Sequence, residues 1–179
     1  MTTSDHEPGS EPIDELLDAA DVARRAPAES LTEQDFQIIR FKTGDREFAF
    51  TIDAVERTER IPLITSVPRS PAFIRGVATL RGGVVCVFDL RNFLAGAEGT
   101  SPADAKSMLV IRDHAGRRVG LLSETLPDFE RVRGGETMGV PTTELDIYAG
   151  SIERDGKLVG LLDPGRLLDM VERRMVGSG

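Results

Sequence analysis

A chain of 179 residues, 40% apolar and 29% charged, has the composition of a globular protein and room for one domain or two small, intimately packed ones. A net charge of −8 offers no basic stripe for nucleic acid, and no apolar run approaches the roughly 20 residues that would insert into a bilayer as a helix. One cysteine, Cys86, excludes an internal disulfide and suits a reducing, cytoplasmic setting.

The acidity is concentrated at the start. Residues 1–35 hold ten acids against Arg24 and Arg25, while the remaining 144 hold twenty charges of each sign. An acidic N-terminus is not a secretory signal. Residues 1–12, rich in Ser, Thr, Pro, Gly and acids, are expected to be disordered. Ile13, Leu16, Leu17, Ala20 and Ala23 then follow helical spacing, which predicts a short amphipathic helix over about 13–25 before Pro27. Its acids lie towards the start and its arginines at the end, as the helix dipole favours. A helix this short is marginal alone. It would pack on its own domain or stay loose, or dock on a partner.

From Phe36 the texture becomes β. Phe36 to Phe41 and Glu47 to Ile52 flank Thr43-Gly44-Asp45-Arg46, a hairpin pattern. The same pattern recurs around Arg81-Gly82-Gly83, Asp113-His114-Ala115-Gly116 and Arg154-Asp155-Gly156. The flanking runs are Val77 to Leu80 with Val84 to Phe88, Met108 to Ile111 with Val119 to Leu122, and Ile147 to Ile152 with Leu158 to Leu162. Short, evenly spaced strands predict an all-β barrel or sandwich. Asp163-Pro164 reads as the N-cap and first turn of a terminal helix, with Leu167, Leu168, Val171 and Met175 on its core face.

The pattern occurs twice. A slide of 74 residues lays Gly76 on Gly150, Gly82 on Gly156 and Asp89 on Asp163, with the intervening apolar runs in step. A slide of 71 lays Phe48-Ala49-Phe50 on Val119-Gly120-Leu121. Two halves of about 70 residues are expected within 35–176, joined near 95–106 and preceded by the leader at 1–34. Each is small, so the two should pack together and leave a groove between them. Asp89 and Asp163 read as helix caps, and Gly76 and Gly150 as points where a side chain would not fit.

No catalytic constellation is visible. His6 lies in the leader and His114 in a hairpin turn, neither at metal-ligand spacing. Cys86 sits inside an apolar strand with no nearby base and reads as an inert thiol. No phosphate loop, nucleophile elbow or carboxylate pair appears, so neither an enzyme nor a cofactor is expected. Seventeen of the twenty basic residues after residue 35 are Arg, a side chain suited to bidentate carboxylate contacts at interfaces.

The stretch Val67-Pro68-Arg69-Ser70-Pro71-Ala72-Phe73-Ile74-Arg75-Gly76-Val77, continuing through Leu80-Arg81-Gly82 to Val87-Phe88-Asp89-Leu90-Arg91, resembles the signature of the CheW family. So do Tyr148-Ala149-Gly150 and Leu161-Leu162-Asp163. The similarity spans about 35–174. It implies two five-stranded SH3-like β-barrels packed as a pseudo-twofold pair. It also implies a non-enzymatic adaptor that bridges the cytoplasmic tip of methyl-accepting chemoreceptors to the regulatory domain of the histidine kinase CheA in receptor arrays, the receptor tip docking between the barrels. A module of an accessory chemosensory pathway with a different protein partner is the alternative.

Carried over position by position, Arg81 matches the arginine after the family's Asn-Leu pair, here Thr79-Leu80. Val55 matches a groove valine, and Leu121 and Leu122 lie in the corresponding strand of the second half. Gly76 would let a partner backbone approach. With Arg57 and Arg75 these form the candidate partner-binding set. Departures are Arg57-Thr58 for a Glu-Ile pair, Cys86 for a proline and Ser123-Glu124 for Val-Asp. A reversed charge at Arg57 could redirect partner choice.

Overall fold

The computed structural model describes residues 33–95, 105–139 and 146–177. The leader, with its expected disorder, its helix and His6, lies outside the described residues, as does most of the junction between the halves.

The first hairpin joins β1 (Phe36–Thr43) to β2 (Arg46–Thr51) through Gly44, whose φ of 61° suits a tight turn. A 3-10 turn, Ile52–Ala54, leads into β3 (Val55–Arg60) and β4 (Ile64–Thr65). Then come β5 (Ile74–Leu80), β6 (Gly83–Phe88) and helix α1 (Leu90–Ala95). The second half gives β7 (Ser107–Arg112), β8 (Arg118–Ser123), β9 (Asp128–Val132), β10 (Tyr148–Arg154), β11 (Lys157–Leu162) and helix α2 (Pro164–Val176). All four predicted hairpins are present. Strands β3 and β9 carry no apolar alternation that could reveal them: Val-Glu-Arg-Thr-Glu-Arg buries only Val55, and Asp-Phe-Glu-Arg-Val only Val132.

Two sheets form, ordered β10-β11-β2-β1-β9 and β3-β7-β8-β6-β5-β4. Each takes one hairpin from the opposite half of the sequence. Hairpin β1–β2 lies beside β11, and hairpin β7–β8 beside β6. The registers follow the two slides: Gly160 pairs with Phe48 as Cys86 pairs with Val119, and Leu161 with Ala49 as Val87 with Gly120. Both joints are parallel. The repeat unit and the barrel are therefore different objects, and neither barrel closes without strands from both halves.

Packing follows the same logic. Six buried residues, including Ile38, Ile152 and Val159, fill one barrel; six more, including Val85, Met108 and Val110, fill the other. A shared core of 21 lies between them and gathers Phe41, Phe48, Phe50, Phe88, Phe93, Leu121 and Tyr148. At roughly 1.5–3 kcal/mol per fully buried large side chain, most apolar burial belongs to the seam.

The repeat glycines and acids occupy matched places. The β5–β6 and β10–β11 ladders are each bulged, between Ile74 and Gly76 and between Tyr148 and Gly150. A Cβ on Gly76, at φ 138°, would lie 2.1 Å from the carbonyl oxygen of Thr65. One on Gly150 would meet Thr137 Cγ2 at 3.0 Å and the Met138 oxygen at 3.2 Å. Asp89 Oδ1 accepts from the amides of Arg91 (2.9 Å) and Asn92 (3.4 Å), and Asp163 Oδ1 from that of Arg166 (2.9 Å). Both acids are caps.

Helix α2 buries Leu167, Leu168 and Val171 as expected. Met175, expected on the same face, is 44% exposed, because the helix has passed the edge of the core by its last turn. Arg117 ties this helix to the β7–β8 turn through Asp113 (2.6 Å), Asp169 (2.8 Å) and Glu172 (3.0 Å). Partial burial works against the Arg117 charge, but the hydrogen bonds it donates to these carboxylates outweigh it and raise its pKa. Arg174 lies 4.3 Å over the Phe93 ring and donates to the Phe93 carbonyl, joining α2 to α1.

Candidate partner-binding surface

The tip of the β5–β6 hairpin is the most tightly organised part of the candidate set. Gly82 (φ 99°) and Gly83 (φ 127°) permit the tight turn and leave the Arg81 side chain exposed. Two arginines hold the turn by its carbonyls. Arg57 Nη2 on β3 donates to the Arg81 oxygen at 2.6 Å, and Arg118 Nη1 on β8 to the Gly82 oxygen at 3.0 Å. Arg118 in turn donates from Nη2 to Glu56 (2.9 Å) and forms an ion pair with it, Nε lying 2.9 Å from the other carboxylate oxygen, while Arg57 Nε lies 3.2 Å from Glu59. Beside the turn, Val84 is 65% exposed and faces Thr79 across the ladder. An exposed cation on a fixed turn, next to an exposed aliphatic side chain, is interface chemistry.

The corresponding tip on the other barrel carries an acid at the matched turn position, between Arg154 and the exposed Lys157. The slide of 74 sets Asp155 on Arg81 and Leu158, 53% exposed, on Val84. Asp155 takes a φ of 51° ahead of Gly156, an Asp-Gly hairpin turn. The slide of 71 sets Glu47 on Arg118. Strand β9 supplies Asp128 where β3 supplies Arg57, and keeps an acid, Glu130, at the place of Glu59. Here the clamp runs the other way, with Arg154 of the hairpin reaching out to Glu130 and to Glu136 at 3.2 Å. An amide donated by Arg133 is the main reason Glu136 has a lowered pKa, and Arg154 adds to it. Sequence reasoning singled out Arg81 and Arg57 but missed Glu56, Arg118 and Asp155. Reading charges through the repeat would have found Asp155.

The rest of the candidate set is distributed through the fold. Arg75 is partly buried on β5 and lies close enough to Asp89 to favour its ionised form. Burial acts more strongly on Asp89 and raises its pKa. Gly76 is buried in the β5–β6 bulge, against the backbone of Thr65. Val55 and Leu121 belong to the shared core and Leu122 to a barrel interior, so their side chains present almost no surface. The structure brings Arg57 and Arg81 together and leaves these three inside. Cys86 is half-buried, and burial pushes its thiol pKa up, away from the reactive thiolate. His114 is exposed in the β7–β8 turn. Among the described residues no group of three His, Cys, Asp or Glu side chains could hold a metal ion. None of their helices is long and apolar enough to cross a membrane.

An open groove of about 1190 Å³ runs along one end of the seam. The start of β1, Ile52–Ala54, the β7–β8 turn and the start of α2 enclose it. None of the seven candidate residues lines it.

Comparison with known proteins adds to this geometry. A family model described as "CheW-like domain" matches residues 37–172. A probable chemotaxis protein CheW of Rhizobium etli is 29% identical over 149 residues, covering 80% of this chain and 94% of that protein. The chemotaxis protein CheW of Rhizobium meliloti is 30% identical over 145 residues, covering 81% and 89%. Protein FrzA of Myxococcus xanthus is 26% identical over 158 residues, covering 86% and 96%. In three dimensions the chain is similar to the scaffolding protein TtCheW of Thermoanaerobacter tengcongensis, with a TM-score of 0.63 at 19% identity, over 73% of this chain and 90% of that one.

Proposed function

This chain belongs to the CheW-like domain family and is a chemotaxis coupling adaptor; from that premise we propose that it joins the regulatory domain of a CheA-type histidine kinase to the cytoplasmic tip of a chemoreceptor. It does so by binding, without catalysis, and works in the cytoplasm at the receptor array.

The observation that carries this reading is the pair of hairpin tips. Each presents an aliphatic side chain beside a charged turn, and the matched turn position differs in charge: Arg81 with Val84, and Asp155, flanked by Arg154 and Lys157, with Leu158. Opposite charges at matched turn positions let one small module hold two protein neighbours in distinct orientations. They also reject the reversed arrangement through like-charge repulsion. The Arg57 and Arg118 clamps fix the Arg81 turn before binding, so little loop ordering is charged against affinity.

The test is calorimetric titration of the Arg81→Glu protein with the cognate kinase regulatory domain and with a receptor tip. Loss of at least about tenfold in affinity for one of them is expected, with melting temperature unchanged. Wild-type affinity for both would overturn the assignment of this surface.

A further inference from the structure

Outside the two tips, the groove at the end of the seam is the largest unexplained feature. Phe36, Ile52 and Pro164 give it apolar walls. Four carboxylates, those of Asp35, Asp53, Asp113 and Asp163, stand in its lining around one cation, Arg112. Asp35 pairs with Arg131 at 3.2 Å, and Asp113 with Arg117. Asp163 gives one oxygen to the α2 cap. The carboxylate of Asp53, exposed on the 3-10 turn, makes no hydrogen bond or ion pair among the described residues.

The repeat shows what this end lacks. Slides of 71 and 74 carry Asp53 onto Glu124 and Asp163 onto Asp89, at the other end of the seam. That end is closed. The amide of Gly44 donates to Glu124 Oε1 at 2.8 Å, and the amide of Glu124 to the Lys42 oxygen at 2.9 Å. Both acids there also meet cations of this chain. Arg91 Nη1 lies 3.7 Å from Glu124, and Arg75 favours the ionised form of Asp89. At the groove the two acids are kept and the cations are gone, with Ala149 at the place of Arg75 and Gly165 at that of Arg91. Asp35 and Asp113 likewise replace Lys106 and Lys42. In the other direction, Arg112 replaces Phe41 and Gly116 replaces Asp45, so the groove remains the more acidic end. Its β7–β8 turn is drawn to α2 by Arg117, and the end is open.

We propose that a partner protein supplies the missing cations, and that the groove takes a segment of it carrying two Arg or Lys side chains beside an apolar one. One cation meets Asp53 and the other Asp163, while the apolar side chain covers Ile52, which is 36% exposed. The apolar walls lower the local dielectric, so each pair is worth more than one on open surface. An acidic segment would face four carboxylates and is rejected. The site is separate from both hairpin tips, so the assignment of Arg81 stands or falls independently of it.

Fluorescence anisotropy on the full-length protein tests this, with a labelled, blocked peptide of leucines and arginines as the probe. The same peptide with glutamate in place of arginine is the control. Wild type should bind the basic peptide and not the acidic one, more weakly as salt rises. Asp53→Asn/Asp163→Asn, which keeps an acceptor for the cap, should weaken binding about fivefold. Ala149→Arg, which returns a cation of the closed end, should weaken it by a similar factor. Asp45→Asn removes an exposed acid at the closed end and should change nothing, which separates the groove from the general acidity of the protein. Equal binding by wild type and the double variant, or failure to bind the basic peptide, would overturn the proposal. So would a wild-type dimer that the peptide dissociates, since the occupant would then be a second copy.

Discussion

The two barrels have one backbone plan and different hairpin tips. Their bulges, their parallel joints and their capping acids superpose through slides of 74 and 71 residues, down to Gly160–Phe48 against Cys86–Val119. Their hairpin tips do not, with Arg81 on one and Asp155 on the other. The difference separates what the fold requires from what it leaves free. Positions whose backbone or cap is geometrically demanded have the same residue in both halves, and one exposed turn position carries Arg81 in the first half and Asp155 in the second. The barrels are also not independent, because each is completed by a hairpin of the other half.

The equivalence is not perfect, and the largest expected effect lies where it fails. Gly76→Ala forces a Cβ to 2.1 Å from a backbone oxygen at a positive φ, whereas Gly150→Ala meets contacts of 3.0 and 3.2 Å at an ordinary φ. Chemical denaturation should show a loss on the order of 3 kcal/mol or more for the first and about 1 kcal/mol for the second. Equal losses would mean that the β4 side of one barrel yields as easily as its counterpart.

Next is the attachment of α2, which has no counterpart of equal strength at α1 among the described residues. Arg117→Ala leaves the carboxylate of Asp113, whose side chain is only 2% exposed, without its guanidinium partner. A loss of about 2 kcal/mol is expected, discounted for the partial exposure of Arg117. Denaturation midpoints with an unchanged slope would check it.

The smallest effect concerns the caps. Burial raises the pKa of Asp89, whereas Asp163 is the less enclosed cap. An acid whose folded pKa lies above its unfolded value costs stability as pH rises through that window, since ionisation is harder in the folded state. Asp89→Asn keeps the cap acceptor and removes the buried charge. It should stabilise by less than about 1 kcal/mol at neutral pH, and the gain should vanish as pH falls below the ordinary carboxylate range. A pH series of thermal melts on both proteins measures it.

The hairpins, the repeat and the terminal helix were legible in the sequence because each is written in apolar spacing or in turn residues such as Gly82 and Gly156. Strands β3 and β9 were not, since their buried content is a single valine each. Exchange of hairpins between barrels was also hidden. Spacing shows that Phe48 resembles Val119, but not that each lies beside the far half's strand. At the candidate surface, residue type pointed to Arg81 and Arg57, and the structure added the clamp from Arg118 and Glu56. Leu121 and Leu122 were drawn from a strand match; they lie on opposite faces of β8, and both faces are covered, one by the shared core and the other by the barrel interior.

The most direct measurement of the two-tip account is calorimetric titration of the kinase regulatory domain into wild type, Arg81→Glu and Asp155→Arg, with melting temperatures taken in parallel. The account predicts that one reversal weakens kinase binding by about tenfold or more while the other leaves it intact, with all three proteins equally stable. Wild-type binding by both variants would contradict it.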